Sequence, residues 1–255
     1  MKASASISKK NPRQRDHAPA TFVAKADSNL RLILFDIDGT LVLTGGAGGR
    51  AMACAFAELF GISDAFHGIA MAGRTDTAIL VDALAAHGVT ADDPRVAAYP
   101  DTYFHHLARQ ISNTQSGLRH GVMPGVRELL DALTARDDVY LALLTGNYEP
   151  AARMKLEYFD LWRYFRCGAF GDAVDRNRLF ETALRTIVAI GGPSVAASQA
   201  VVIGDTPHDV GVARAAGARS IGVATGSYTV DALTSAGADV VFADLGDTRA
   251  VLDAI

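Results

Sequence analysis

The sequence lacks the features that define several common protein classes. It has only two cysteines, Cys54 and Cys167, which supply neither a disulfide framework nor the spacing of a metal site. Its longest apolar runs, such as residues 139–144, are far shorter than the roughly 20 residues that cross a bilayer. These absences predict a globular protein of a reducing compartment, and we expect it in the cytoplasm with no membrane partner.

Outside its first 29 residues, the sequence has no excess of positive charge. Residues 1–29 hold six basic and two acidic residues, which leaves 18 basic and 26 acidic residues in the remaining body. Proteins that bind nucleic acids present Lys and Arg to the phosphates, so this balance predicts no nucleic-acid partner. Residues 1–29 also lack the apolar stretch of a secretory signal, and we expect a flexible tail, an expression tag or a transit peptide there.

Short apolar runs alternate with helical patterns from residue 30 onward. Five such runs lie at residues 32–35, 139–144, 200–203, 220–223 and 239–242. Runs of this length without polar alternation are typical of strands that are covered on both faces. Amphipathic patterns between them, for example at residues 126–136, indicate helices. This order predicts an α/β fold with a doubly wound parallel sheet.

One stretch interrupts this alternation. More than 100 residues separate the first run from the second, too many for a single crossover. Helical patterns occur in this stretch at residues 49–60, 75–87 and 95–111, the last of them open to a break at Pro100.

We therefore predict three parts of the chain. Residues 30–46 and 121–255 would form the α/β core, residues 47–120 a smaller helical cap inserted after the first strand, and residues 1–29 the tail.

Acidic residues follow two of the predicted strands. Asp36 and Asp38 come directly after the run at residues 32–35, and Asp205 and Asp209 follow the run at residues 200–203. Parallel strands end at one edge of a sheet, so these carboxylates converge if the strands are neighbours. Converging carboxylates repel one another unless a cation is present, and oxygen ligands suit Mg²⁺. For Asp36 and Asp38 alone, a capped surface loop is the alternative.

These motifs resemble those of the haloacid dehalogenase superfamily. Residues 36–41 (DIDGTL) resemble its first motif, Thr145 its second, and residues 204–209 (GDTPHD) its fourth. The position of the insertion resembles the C1-capped phosphatases of the phosphoglycolate phosphatase type. The resemblance covers residues from about 30 to 245 and implies a Mg²⁺-dependent phosphomonoester hydrolase.

The resemblance also implies roles for the acidic residues. Asp36 would be the nucleophile that forms an aspartyl-phosphate, and it would also bind Mg²⁺. Asp38 would act as general acid and base, with its backbone carbonyl on the metal. Asp205 would be the second carboxylate ligand, and Asp209 would orient ligands or waters.

The resemblance further implies groups that bind the phosphate and the rest of the substrate. The Thr145 hydroxyl and the backbone amides of Gly146 and Asn147 would hold phosphate oxygens. Arg74, before a predicted helix of the cap, would reach an anionic group of the substrate. A solvated Arg beside a capped helix start is the alternative for Arg74.

The third motif departs from the family pattern. The family places a Lys near the start of the helix before the fourth motif, and this chain has none there. Lys155 lies only ten residues past Thr145, which is too early. Arg176 stands at the expected place and would bind phosphate in a bidentate manner, with Arg178 as its competitor.

Several activities of the superfamily are distinguished by single residues. The cap contains no Lys, which excludes the Schiff-base chemistry of phosphonoacetaldehyde hydrolase, and Asp38 disfavours dehalogenation. A mutase resembling β-phosphoglucomutase and a catalytically silent phosphate-binding regulatory module remain as alternatives. The expected partner is a small phosphorylated metabolite, and the expected assembly is a monomer or a homodimer.

Overall fold

The computed structural model describes residues 29–113 and 118–255. The predicted tail, residues 1–29, lies outside this range except for its last residue. The strands are β1 (Arg31–Phe35), β2 (Val42–Thr44), β3 (His120–Val122), β4 (Val139–Leu144), β5 (Gly168–Ala169), β6 (Ala200–Gly204), β7 (Arg219–Val223) and β8 (Val240–Phe242). The α-helices are α1 (Ala47–Phe60), α2 (Asp76–Ala86), α3 (Tyr99–Gln110), α4 (Val126–Thr134), α5 (Glu149–Tyr158), α6 (Leu179–Ala189), α7 (Pro207–Ala216), α8 (Val230–Ser235) and α9 (Thr248–Ala254).

Six strands form one parallel sheet in the order β5-β4-β1-β6-β7-β8. Alternate residues of β1 enter different cores on the two faces of this sheet. Ile33 and Phe35 pack in one core with residues of α4, α5 and α9. Leu32 and Leu34 pack in another with residues of α6 and α7. The predicted α/β fold with a doubly wound parallel sheet is confirmed.

Strand order explains why the motifs meet. The central strand β1 pairs with β4 on one side and with β6 on the other. The residues that follow these three strands therefore lie side by side at the carboxyl edge of the sheet.

Helices α1, α2 and α3 lie between β2 and β3, which form a separate antiparallel pair. These helices share an apolar core with Tyr148 and Ala151 at the start of α5, and the side chains of Phe56, Tyr99 and Tyr103 are almost fully buried in it. Pro100 lies in the first turn of α3, where proline is tolerated, after a short 3₁₀ turn at Val96–Ala98. The predicted boundary between residues 120 and 121 falls inside β3.

Within the described part of the chain, no helix has both the length and the apolar character that crossing a membrane requires.

Candidate active site

Three carboxylates meet at the carboxyl edge of the sheet. Asp36 follows β1, Asp205 follows β6, and Asp209 lies in the first turn of α7. One carboxylate oxygen from each lies within 4.8 Å of the others, and all three side chains are buried. The structure thus brings together three of the four acidic side chains that the sequence predicts to converge.

Burial and mutual repulsion oppose the simultaneous ionisation of these carboxylates. Burial, and then the charge of Asp209, raises the pKa of Asp36 to about 7. Burial, followed by the charges of Asp36 and Asp209, raises the pKa of Asp205 to about 9. A divalent cation would offset both effects, and carboxylate oxygens are ligands that Mg²⁺ prefers. The donor set therefore fits Mg²⁺.

Two glycines allow the backbone to pack directly against Asp205. A Cβ at Gly39 would lie 2.4 Å from Asp205 Oδ2, and one at Gly226 would lie 1.6 Å from the same atom. Gly39 also has a φ of 90°, which L side chains rarely adopt. The adjacent Thr40 hydroxyl donates to Asp205 Oδ1 at 3.2 Å. A side chain at either glycine would displace the Asp205 carboxylate.

The structure brings Arg176 to the carboxylates and leaves Arg178 exposed. Both lie in one 3₁₀ turn, Arg176–Arg178, directly before α6. Arg176 Nη2 lies 3.4 Å from Asp36 Oδ1 and donates to Asp209 Oδ1 at 2.5 Å. Arg176 Nε is buried and has no hydrogen-bond partner among the described residues. A buried cation beside Asp36 suits a phosphate oxygen.

The loop after β4 is held by its own hydrogen bonds and also contacts α2. The hydroxyl of Thr145, which is fully buried, accepts hydrogen bonds from the backbone N–H of Asn147 at 3.3 Å and from its Nδ2 at 2.9 Å. The Gly146 carbonyl accepts from the Asp76 N–H at 2.7 Å, and a Cβ at Gly146 would lie 2.0 Å from the Arg74 carbonyl oxygen. The loop therefore joins α2 to the sheet, and phosphate binding by Thr145, Gly146 and Asn147 stays a prediction.

The Asp38 side chain lies outside the group of three carboxylates and has different partners. Lys155 Nζ donates to Asp38 Oδ1 at 2.8 Å and to Oδ2 at 2.6 Å. Asn147 Nδ2 donates to Asp38 Oδ2 at 2.7 Å, and Asn147 Oδ1 accepts from Lys155 Nζ at 2.6 Å. These three side chains form a closed ring of hydrogen bonds next to the carboxylates.

A cavity of about 380 Å³ connects this site with the inserted helices. Asp36, Asp38 and Arg176 line it from the sheet edge, while Met52 and Tyr103 line it from the insertion. The site can therefore take a small molecule with its anionic end at the carboxyl edge of the sheet.

A comparison of the sequence with known protein families identifies the family of this chain. Residues 33–223 match the model of a family described as haloacid dehalogenase-like hydrolase. The chain belongs to the haloacid dehalogenase-like hydrolases. The predicted family is therefore confirmed, and the matched residues include all the motifs on which the prediction depends.

Curated relatives of this haloacid dehalogenase-like hydrolase extend over most of its length. The phosphoglycolate phosphatase of Rhodospirillum rubrum is 32% identical over 223 residues, which cover 85% of this chain and 90% of that protein. The probable phosphatase IndB of Dickeya dadantii is 31% identical over 212 residues, which cover 82% of this chain and 88% of that protein.

Solved structures share the fold of this haloacid dehalogenase-like hydrolase. A hydrolase from Pseudomonas syringae aligns with a TM-score of 0.65 at 23% identity, covering 88% of this chain and 99% of that one. A putative β-phosphoglucomutase from Thermotoga maritima aligns with a TM-score of 0.58 at 24% identity, covering 89% of this chain and all of that one.

The Arg74 side chain of this hydrolase is engaged within the insertion. Its Nη1 atom forms a salt bridge of 2.7 Å with Asp82 of α2 and a hydrogen bond with the Ala70 carbonyl, and its Nη2 donates to the Ala78 carbonyl. Arg74 also lines the cavity. Contact of its guanidinium with a substrate stays a prediction.

Sequence reasoning missed Lys155, because the family pattern directs attention to a cation before the fourth motif. The helix α5 begins directly at the sheet edge, and a long side chain on its second turn reaches back to Asp38. A signal was present in the sequence. Lys155 falls on the buried stripe of α5 together with Ala151, Ala152 and Leu156, at a position where an apolar residue is usual.

Proposed function

We propose that this hydrolase is a Mg²⁺-dependent phosphomonoesterase that acts on a small phosphorylated metabolite through an aspartyl-phosphate at Asp36. One observation carries this proposal. Asp36, one of the three clustered and buried carboxylates, lines a cavity together with the buried cation Arg176. That combination provides a nucleophile, a place for a divalent cation and a counter-charge for a phosphoryl group within one small site.

Asp36 and Asp205 would hold Mg²⁺ through their carboxylates, and Asp38 through its backbone carbonyl. When bound, Mg²⁺ would neutralise the clustered negative charge and the charge of the phosphoryl oxygens. Asp209 is hydrogen-bonded to Arg176 and to the backbone and hydroxyl of Thr206, so we assign it to orienting the other groups.

Asp36 and Asp38 divide the covalent and proton-transfer steps. An oxygen of Asp36 forms a bond to phosphorus while the ester P–O bond breaks, and the proton of Asp38 passes to the leaving alcohol. Asp38 then takes a proton from a water molecule whose oxygen attacks phosphorus, while the bond between phosphorus and the Asp36 oxygen breaks. Inorganic phosphate leaves, Asp36 is restored as a carboxylate, and Asp38 is again protonated.

Arg176 and the loop after β4 would stabilise the transferring group. The Arg176 guanidinium, the hydroxyl of Thr145 and the amide of Gly146 would provide donors, and the Asn147 amide would join them once it leaves its hydrogen bond to the Thr145 hydroxyl. Such donors accelerate the reaction because they are already oriented when charge develops on the phosphoryl oxygens.

Residues 47–120 would act as a cap over this core and shape the substrate cavity. The names of the curated relatives favour phosphoglycolate or a similarly small phosphate ester as the substrate. A cytoplasmic location, a monomeric or homodimeric state and the absence of nucleic-acid partners are further parts of this proposal.

The proposal is tested by phosphate release from a panel of phosphorylated metabolites, including phosphoglycolate, sugar phosphates and nucleoside monophosphates. We expect turnover of at least one small ester with Mg²⁺ and its loss when a chelator removes the ion, with recovery on adding Mg²⁺ back. Conversion of a hexose 1-phosphate to its isomer without phosphate release would instead identify a mutase. No reaction with any ester would support a phosphate-binding regulatory module and contradict the proposal.

A further inference from the structure

Lys155 is a charged residue in a position that packing alone would give to an apolar one. Its side chain is 4% exposed, and its neighbours on the inner face of α5 include Ala152 and Leu156. A buried ammonium is costly unless it is paired and hydrogen-bonded, and an apolar side chain of similar volume avoids that cost. The retention of a cation here therefore points to a role other than packing.

The geometry around Lys155 identifies its partner. An ammonium group has three N–H donors, and the three acceptors within hydrogen-bond distance are both oxygens of Asp38 and Oδ1 of Asn147. Lys155 also lines the cavity, but these acceptors of the described residues engage all three of its donors. Its charge is therefore directed at Asp38.

The Asp38 carboxylate is hydrogen-bonded to Lys155 and Asn147 and also lines the cavity. Its side chain is 40% exposed, whereas that of Lys155 is buried. Oδ2 accepts from both Lys155 and Asn147, and Oδ1 accepts from Lys155 alone. A carboxylate oxygen has about two acceptor sites, so Oδ1 keeps one that can carry a proton.

We propose that Lys155, with Asn147, is the positioning residue for the general acid–base group Asp38, and that Asp38 Oδ1 is the atom that exchanges the proton. This inference rests on the proposed phosphatase function. Lys155 fixes the direction of the carboxylate without touching the substrate, so its contribution is confined to steps in which Asp38 moves a proton.

The leaving group provides a direct test of this role. An alkoxide needs a proton to leave, whereas para-nitrophenolate leaves without one. We therefore compare kcat/KM for the best alkyl phosphate of the panel and for para-nitrophenyl phosphate, because kcat/KM reports the phosphorylation of Asp36. Lys155→Met should lower kcat/KM for the alkyl ester about 10- to 100-fold and for the aryl ester less than about 3-fold, within the range of general acid–base effects.

A double-mutant cycle with Asp38→Asn separates positioning from a general structural effect. If Lys155 acts only through Asp38, Lys155→Met should lower kcat/KM less than about 2-fold in the Asp38→Asn background. The same loss in both backgrounds, or an equal loss on both esters, would overturn the proposal. A rise in KM alone in both backgrounds would show that Lys155 binds the substrate, which also overturns it.

Two further variants keep the test decisive. Arg153→Met removes an exposed cation from the same helix, where Arg153 pairs with Glu157, and should leave kcat/KM unchanged for both esters. If Lys155→Met does not fold, Lys155→Arg retains the charge with an altered reach and should show the same selective loss on the alkyl ester. An inactive wild-type protein would refute the phosphatase function itself, whereas an additive cycle in an active enzyme would refute only the role of Lys155.

Discussion

Asp36→Asn is expected to lower kcat at least about 10⁴-fold while the protein keeps its fold. The carboxylate oxygen of Asp36 must form the bond to phosphorus, and an amide oxygen is a far weaker nucleophile. The measurement is phosphate release from the best substrate of the panel in the presence of Mg²⁺. Asp92→Asn, a change at an exposed loop position, should leave kcat within about 2-fold and serves as the control.

Stability distinguishes a lost nucleophile from a lost fold. Burial raises the pKa of Asp36 to about 7, so the folded state holds this proton more tightly than the unfolded state. The metal-free wild-type protein therefore loses stability from this group as the pH rises from about 4 to about 7. Asn does not titrate, so the Tm of Asp36→Asn relative to wild type should rise over the same range. Turnover near the wild-type level would remove Asp36 from the role of nucleophile.

Arg176→Ala is expected to lower kcat/KM about 10²- to 10³-fold, the usual effect of removing a preorganised donor from a developing anion. It should also weaken inhibition by inorganic phosphate, because the guanidinium lines the cavity with Nη2 3.4 Å from Asp36 Oδ1. Steady-state kinetics with phosphate as a competitor measure both effects.

Arg178→Ala is the matched control, since Arg178 lies in the same 3₁₀ turn but is exposed. It should leave both kcat/KM and phosphate inhibition within about 2-fold. Arg176→Lys keeps the charge but not the paired donors and should recover part of the lost activity. If Arg178→Ala has the larger effect on phosphate inhibition, the assignment of the phosphate-binding cation is reversed.

The fold followed from the sequence because its main signals are local. Apolar runs without alternation identified five of the six strands of the parallel sheet but not the two-residue β5. The spacing of Val126, Leu129 and Leu130 identified a helix that packs on the sheet. The helices of the insertion also lie where their periodicity predicted, within a few residues at each end. Pro100 lies where a 3₁₀ turn gives way to an α-helix. A proline in a helical pattern does not by itself show whether the preceding residues form a 3₁₀ turn or an α-helix.

Of the site residues, the sequence could place only those that directly follow a strand. Asp36, Thr145 and Asp205 converge because β1, β4 and β6 are adjacent, and neighbouring ends of parallel strands are a general feature of such sheets. The direction of long side chains is not determined in this way. Arg176 and Arg178 are two residues apart, and only the turn geometry decides which one points inward. Lys155 reaches Asp38 from the second turn of α5, which no spacing rule anticipated.

Covalent trapping tests most directly whether this edge of the sheet transfers a phosphoryl group. The Asp38→Asn variant lacks the base that activates water, and para-nitrophenyl phosphate needs no acid to form the phosphoenzyme, so the covalent state should accumulate in the presence of Mg²⁺. The variant is mixed with this ester, quenched in acid, digested and analysed by mass spectrometry. We predict one phosphoryl group on the peptide that contains Asp36, and none in the Asp36→Asn, Asp38→Asn double variant. A phosphoryl group on any other residue would contradict the account.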